Sequence, residues 1–316
     1  VARPTSSAEE PEEQRDAESV SALEHGQLPV TAERRIKEAK DSGGTWSSDF
    51  SVAEFSAVRR MGFDPVGLVL GSSTYHIALS WGGNWGSSGP APSGRGAYMV
   101  NFPCPHGYYH DGQRTGYNFE QLQFEQGIVA ARDLAMGRMV AEASELGAHG
   151  VVGVRLHFSR PGGTAGNVEF TVVGTAVRRP GSPPLAQPFT CHLSGQEFAK
   201  LLQTGYVPAA FVIGVGAVQV YPGCGMEFQE SSWYNQELQQ LTDAAQGCRS
   251  IAVAHLEREA GLVGEGVIGV DVRMSEHEGG AAGHVMELQA FGTAVRRFAD
   301  EPLPDPPLPM LRIGRT

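Results

Sequence analysis

Gly150-Val-Val-Gly-Val-Arg-Leu-His-Phe158, followed after a short polar loop by Val168-Glu-Phe-Thr-Val-Val-Gly-Thr-Ala-Val-Arg-Arg179, decides the fold, because the same pattern returns. The second copy reads Gly266-Val-Ile-Gly-Val-Asp-Val-Arg-Met274, a second polar loop, then Glu287-Leu-Gln-Ala-Phe-Gly-Thr-Ala-Val-Arg-Arg297. The hexamer Gly-Thr-Ala-Val-Arg-Arg is identical at 174–179 and 292–297. A recurring pattern of this kind marks one supersecondary unit used twice. Within each copy two β-rich runs flank a short loop, which predicts an antiparallel hairpin.

Upstream of each hairpin the apolar period changes to that of a helix. Ile128, Ala131, Ala135, Met139 and Leu146 define a helix over about Asn118–Leu146, and Leu238, Leu241, Ala245, Cys248, Ala252 and Leu256 define one over about Ser232–Glu259. Gly147 and Gly261 are the expected stops. Further upstream, Val66-Gly-Leu-Val-Leu-Gly71 and Ala209-Ala-Phe-Val-Ile-Gly214 read as strands, with a glycine at the same place predicting a bulge or a close backbone approach. Ser51-x-x-Glu54 and Ser194-x-x-Glu197 are capping boxes opening short helices, and Gly62 and Gly205 stand at left-handed C′ positions.

The sequence is therefore α+β: two tandem β-α-β-β domains, each with one long helix plus a short N-terminal helix and with its last two strands antiparallel. Matched residues stand 143 apart early in the repeat (Glu54 and Glu197) and 116 apart later (Gly150 and Gly266). The first copy thus carries an insertion of about 27 residues, placed within 81–115. The expected map is an acidic disordered arm over 1–28, a short helix and linker over 29–50, and a first domain over 51–180. A linker over 181–193, a second domain over 194–298 and a Pro-rich tail over 299–316 complete it.

Gly147-Ala-His-Gly-Val-Val-Gly-Val154, lying after a long helix and before Val-x-x-Gly-Thr-Ala-Val, resembles the YbjQ family, which carries a heavy-metal-binding label. The Gly67-Leu-Val-Leu-Gly71 strand and Ala130-Ala-Arg-Asp-Leu-Ala135 in the helix resemble it too, and the whole looks like a duplicated actinobacterial-type form. The second copy keeps Gly266-Val-Ile-Gly and Gly292-Thr-Ala-Val but loses the Leu-Gly-Ala helix end. The resemblance implies a dodecin-like unit of one helix on a three-stranded antiparallel sheet, which places the first strand of each unit, assembly in a ring of five units, and no enzyme activity. Two units per chain cannot fill a five-unit ring, so the expected self-assembly is a homopentamer of ten domains.

Composition narrows the classes. A net charge of −11 disfavours nonspecific nucleic-acid binding. The sequence has no apolar run of membrane-spanning length and no visible secretory signal, so a cytoplasmic protein without a membrane span is expected. Cys104, Cys191, Cys224 and Cys248 form no Cys-x-x-Cys pair and read as free thiols.

Candidate sites follow from chemistry. Cys104, His106 and His110 offer a thiolate and two imidazoles suited to Zn or Cu, with a mobile or interface loop as the alternative reading. No other cofactor is expected. Trp81, Trp85, Tyr98, Tyr108 and Tyr109 make the insertion a candidate contact for a partner or a flat ligand. Arg178, Arg179, Arg296 and Arg297 end equivalent strands, either holding an anion or the acidic arm or acting as solvated edge charge. Glu276, His277, Glu278 and His284 read as a solvated loop, and Tyr75-His76 and His255 as packed groups, His255 in the place of Met139. No catalytic triad is supported. The expected function is a non-enzymatic oligomeric scaffold or binding protein. Metal binding, or small-molecule binding in inter-subunit clefts, are the alternatives.

Overall fold

The computed structural model describes residues 28–41, 46–77, 117–159, 167–183, 185–223, 226, 229–278 and 284–300, with 18, 19, 21 and 22. The insertion at 81–115, nearly all of the acidic arm and most of the Pro-rich tail lie outside the described residues.

A first helix, α1 (Val30–Asp41), buries Ile36 and packs on the long helix of the first repeat. The first repeat then runs α2 (Val52–Arg60), β1 (Asp64–His76), β2 (Tyr117–Glu120), α3 (Leu122–Glu145), β3 (Gly150–Ser159) and β4 (Asn167–Arg178). The second runs β5 (Phe189–Cys191), α4 (Gly195–Gln203), β6 (Tyr206–Tyr221), α5 (Gln239–Val263), β7 (Gly266–Glu278) and β8 (His284–Arg297).

Both capping boxes form: Ser51 and Ser194 accept from the backbone N–H of Glu54 and Glu197, whose carboxylates accept in return from the serine N–H groups. Gly62 and Gly205 take φ of 80° and 83°, closing the two short helices in a conformation that costs other residues a steric penalty.

Gly71 and Gly214 mark close approaches, not bulges. A Cβ at Gly71 would lie 2.0 Å from Ala135 O, and one at Gly214 would lie 1.9 Å from Ala252 O. The long helices thus press their backbones onto the first strands. The register shifts fall earlier, between Pro65 and Gly67 and between Pro208 and Ala210.

These contacts also fix the true correspondence of the helices. Gly71 meets Met139 N, whereas Gly214 meets Leu256 N, so His255 stands in the place of Arg138, not of Met139 as the sequence spacing suggested. The helix bounds shift as well. Residues 118–120, expected at the start of a helix, belong to strand β2, and Gly261 lies inside α5, which Gly264 caps. Residues 189–191, expected in a linker, form strand β5.

Each repeat contributes the three antiparallel strands that the resemblance implies, β1-β4-β3 and β6-β8-β7. Each sheet then gains a fourth strand from the other repeat. Strand β5 pairs parallel with β3 at Gly150–Val152, and β2 pairs antiparallel with β6 at Val218–Tyr221. One large core joins α3 and the first sheet to Phe211, Ile213, Val215, Ala217, Val285 and Phe291 of the second. A second core lies between α5 and the second sheet. Among the described residues, no helix is long and apolar enough to cross a membrane.

Candidate functional site at the seam between the repeats

The exchanged strands are held by specific contacts. Asn118 of β2 donates to Gln240 O at 2.9 Å and to Asp243 Oδ2 at 3.0 Å, and Gln240 donates to Asn118 Oδ1 at 3.1 Å. The Phe119 ring stacks on Tyr221 at 5.3 Å. These bonds tie the strand that leads into α3 to the first turn of α5. On the opposite edge, Phe189 of β5 stacks on Phe198 at 5.8 Å, and Gly153 N donates to Leu193 O. Across the helices, buried Arg132 of α3 gives Glu259 of α5 two hydrogen bonds, 3.0 and 2.9 Å long. Glu259 also accepts from Ile213 N at 3.1 Å, as Glu142 does from Leu70 N at 2.6 Å in the first repeat.

The seam has an unfilled counterpart at each end of the chain. Trp46 stacks on Phe55 at 5.6 Å, as Phe189 does on Phe198, but residues 46–48 pair with no strand among the described residues. Tyr234-Asn-Gln-Glu237 repeats the Tyr-Asn-x-Glu of Tyr117–Glu120, yet it is exposed and not a strand. Correspondingly, among the described residues no strand lies outside β1 and β7, at the positions where β6 and β3 are covered. Burial follows the same asymmetry. Leu156 is 5 % exposed and its counterpart Val272 is 51 % exposed; Ile213 is 2 % exposed and its counterpart Leu70 is 38 % exposed.

Within the seam three acceptor groups converge. Carboxylate oxygens of Glu120 and Glu125 and a ring nitrogen of His255 all lie within 4.8 Å of one another. Strand β2 ends at Glu120, the first turn of α3 presents Glu125, and α5 of the other repeat presents His255. Glu125 is only 2 % exposed; its Oε1 accepts from Ala217 N at 2.7 Å, and among the described residues no group donates to its Oε2 while Glu120 is ionised. Burial, with Glu120 adding to it, pushes the Glu125 carboxyl up to about 8, against the bond from Ala217 N. His255 Nδ1 lies 2.8 Å from Val215 O, and a carbonyl can only accept, so that nitrogen carries the proton.

A cleft of about 210 Å³ lies near the two capping boxes, lined by Asp49, Glu54, Arg155, His192, Ser194 and Glu197 among others. Burial lowers the His192 pKa, and its ring nitrogens are 2.7 Å from Thr293 Oγ1 and 2.7 Å from Gly269 O. Both nitrogens are thus committed to holding the fold.

Of the residues singled out from sequence, Cys104, His106, His110, Trp81, Trp85, Tyr98, Tyr108 and Tyr109 lie outside the described residues. Arg178 and Arg179 are exposed at the end of β4. Arg296 donates to Val263 O at 2.8 Å, and Arg297 donates to Tyr206 Oη at 2.9 Å and lies over its ring. Those two arginines brace the end of β8. Glu278 pairs with His284 across the β7–β8 hairpin. Cys191 and Cys248 are free and buried, their thiols pushed up to about 12 chiefly by burial.

The Glu120–Glu125–His255 group was not legible as a site in sequence. The repeated Tyr-Asn-x-Glu could have pointed to Glu120, but nothing in sequence brings His255 beside it.

This is a tandem α+β protein whose two units exchange strands. A family model described as "Putative heavy-metal-binding" (YbjQ) matches residues 117–179. The chain is 32 % identical over 281 residues to the Encapsulin nanocompartment protein Rv1762c of Mycobacterium tuberculosis, covering 87 % of this chain and 94 % of that one. A UPF0145 protein of Methanothermobacter thermautotrophicus is 42 % identical over 55 residues, 17 % of this chain and 50 % of that one. UPF0145 protein TTHA1944 of Thermus thermophilus is 40 % identical over 67 residues, 21 % of this chain and 57 % of that one. The chain belongs to the YbjQ family, in a duplicated form shared along nearly the whole length of the mycobacterial relative.

Proposed function

We propose that the chain is a non-enzymatic scaffold that assembles head to tail, each joint repeating the seam seen inside the chain. The observation that carries this reading is the complementarity of the open ends. Tyr234–Glu237 fits the β1 edge of a second copy as Tyr117–Glu120 fits β6. Trp46–Ser48 of that same copy fits β7 as Phe189–Cys191 fits β3. Both pairings fall between the second repeat of one chain and the first repeat of the next. In this reading one joint makes both pairings, and the exposed Val270, Val272 and Leu70 lie on the strands it would cover. A head-to-tail contact of this kind closes into a ring when its rotation permits.

The proposed stoichiometry is five chains with ten units. A partner protein meeting the acidic arm or the aromatic insertion belongs to the same reading. The relative named as an encapsulin nanocompartment protein supports a role in an assembly over a catalytic one. Native mass spectrometry is the test. A single-chain mass at micromolar concentration refutes assembly. A closed ring of another size keeps the joint and refutes the pentamer.

A further inference from the structure

We infer that Glu120, Glu125 and His255 form a binding site for one divalent first-row transition-metal ion per chain, built across the seam between the repeats. The inference is independent of how chains assemble, because all three ligands belong to one chain.

The donor inventory carries it. The group consists of two carboxylates and an imidazole, drawn from β2, α3 and α5. Glu125 Oε2 is buried and, among the described residues, meets no donor unless the neighbouring Glu120 carboxyl and it share a proton. Acceptors gathered this closely are relieved by a bridging water or by a cation between them. That cation is a metal ion, a shared proton, or a charged imidazole.

The tautomer that His255 holds when neutral suits the first of these. The Nδ1 proton goes to Val215 O at 2.8 Å, which leaves the lone pair of the neutral ring on Nε2. A backbone carbonyl on the other nitrogen is the usual brace for a metal-ligating histidine. Glu125 is braced in the same manner by Ala217 N on its Oε1. Ligands about 2.0–2.2 Å from a tetrahedral ion stand roughly 3.4 Å apart, so the three atoms, now within 4.8 Å of one another, close in on the ion where they are farther apart than that. Imidazole with carboxylates suits zinc and its neighbours.

The duplication supplies an internal control. The counterparts of Glu120, Glu125 and His255 are Glu237, Thr242 and Arg138. Arg138 occupies the place of His255 and donates to Ser72 O as His255 donates to Val215 O. An arginine and a threonine there make a metal site impossible, so the stoichiometry is one ion per chain even in an assembly. Divergence after duplication has kept ligands at one seam alone.

The test uses the full chain stripped of metal, titrated with Zn²⁺ by calorimetry and with Co²⁺ by absorption. Expected are one ion per chain and a Co²⁺ spectrum without a thiolate charge-transfer band. Glu120→Gln and His255→Gln each weaken binding at least tenfold, in line with loss of one ligand. Glu237→Gln leaves it unchanged, as does the triple variant Cys104→Ser, His106→Gln, His110→Gln. Both single-ligand positions are half-buried, so these variants keep the fold, checked by thermal melting, even if Glu125→Gln does not. Failure of the wild-type chain to bind Zn²⁺ at 100-fold excess over protein overturns the site in favour of a proton or an imidazolium between the carboxylates. Retention of full affinity in both Glu120→Gln and His255→Gln overturns it equally, and loss of binding in the triple variant moves the ion to the insertion.

Discussion

Gly214→Ala tests the central contact of the second repeat. The added methyl would sit 1.9 Å from Ala252 O and 2.6 Å from Leu256 N, both backbone atoms of α5. No side-chain rotation relieves that overlap; α5 has to lift from β6 by roughly an ångström to restore normal van der Waals distance. Overpacking of this kind costs about 1–3 kcal/mol. Lifting the helix also stretches two bonds beside the contact, Glu259 to Ile213 N and His255 to Val215 O. Those are worth on the order of 1 kcal/mol each, and more for the charged partner. The expected loss is about 3–5 kcal/mol, read as a lower denaturation midpoint at fixed protein concentration. Gly71→Ala should lose a similar amount, since its methyl would sit 2.0 Å from Ala135 O. Gly137→Ala supplies the opposite sign. It lies in α3 with nothing within 4 Å of the added Cβ, so it should gain about 0.5–1 kcal/mol from helix propensity. A Gly214→Ala protein as stable as wild type would show that the helix does not rest on the strand backbone, and the correspondence of His255 with Arg138 would go with it.

Arg132→Ala leaves Glu259 without its buried partner and should cost about 2–4 kcal/mol, with Arg132→Met milder; a loss under about 0.5 kcal/mol in denaturation would mean the pair contributes nothing. Burial raises Glu125 to about 8 from an ordinary value of 4.5, so the metal-free fold holds a proton that the unfolded chain releases in between. Its stabilising contribution is complete below about pH 4.5 and is lost as pH rises to about 8, on the order of 3–5 kcal/mol at most. Denaturation at pH 5 and pH 8 should therefore show a decline that Glu125→Gln reduces, and an unchanged slope in that variant would remove Glu125 as the cause. Val272→Glu, on the open β7 edge, should cost a single chain less than about 0.5 kcal/mol yet lower the mass of any assembly. Leu156→Glu, at the buried counterpart, should unfold the chain.

Sequence by itself determined the local architecture. Identical hexamers, paired capping boxes and apolar periods set by 3.6 or 2 residues all act within one unit, so two β-α-β-β units were readable without any contact map. Gly71 and Gly214 read in sequence as a bulge or a close approach, and only the docked helices decided for the approach. Tertiary structure alone decided what lies between the units. Asn118–Glu120 reads as the start of a helix until β6 offers it a partner edge, and Tyr234–Glu237, with the same residue pattern as Tyr117–Glu120, stays unpaired where no edge is offered. Strand pairing at long range depends on a neighbour and not on local propensity. The same holds for Glu120, Glu125 and His255: the docking of α3 and β2 against the second repeat, through Asn118, Arg132 and Phe211, is what brings three unrelated positions to one point.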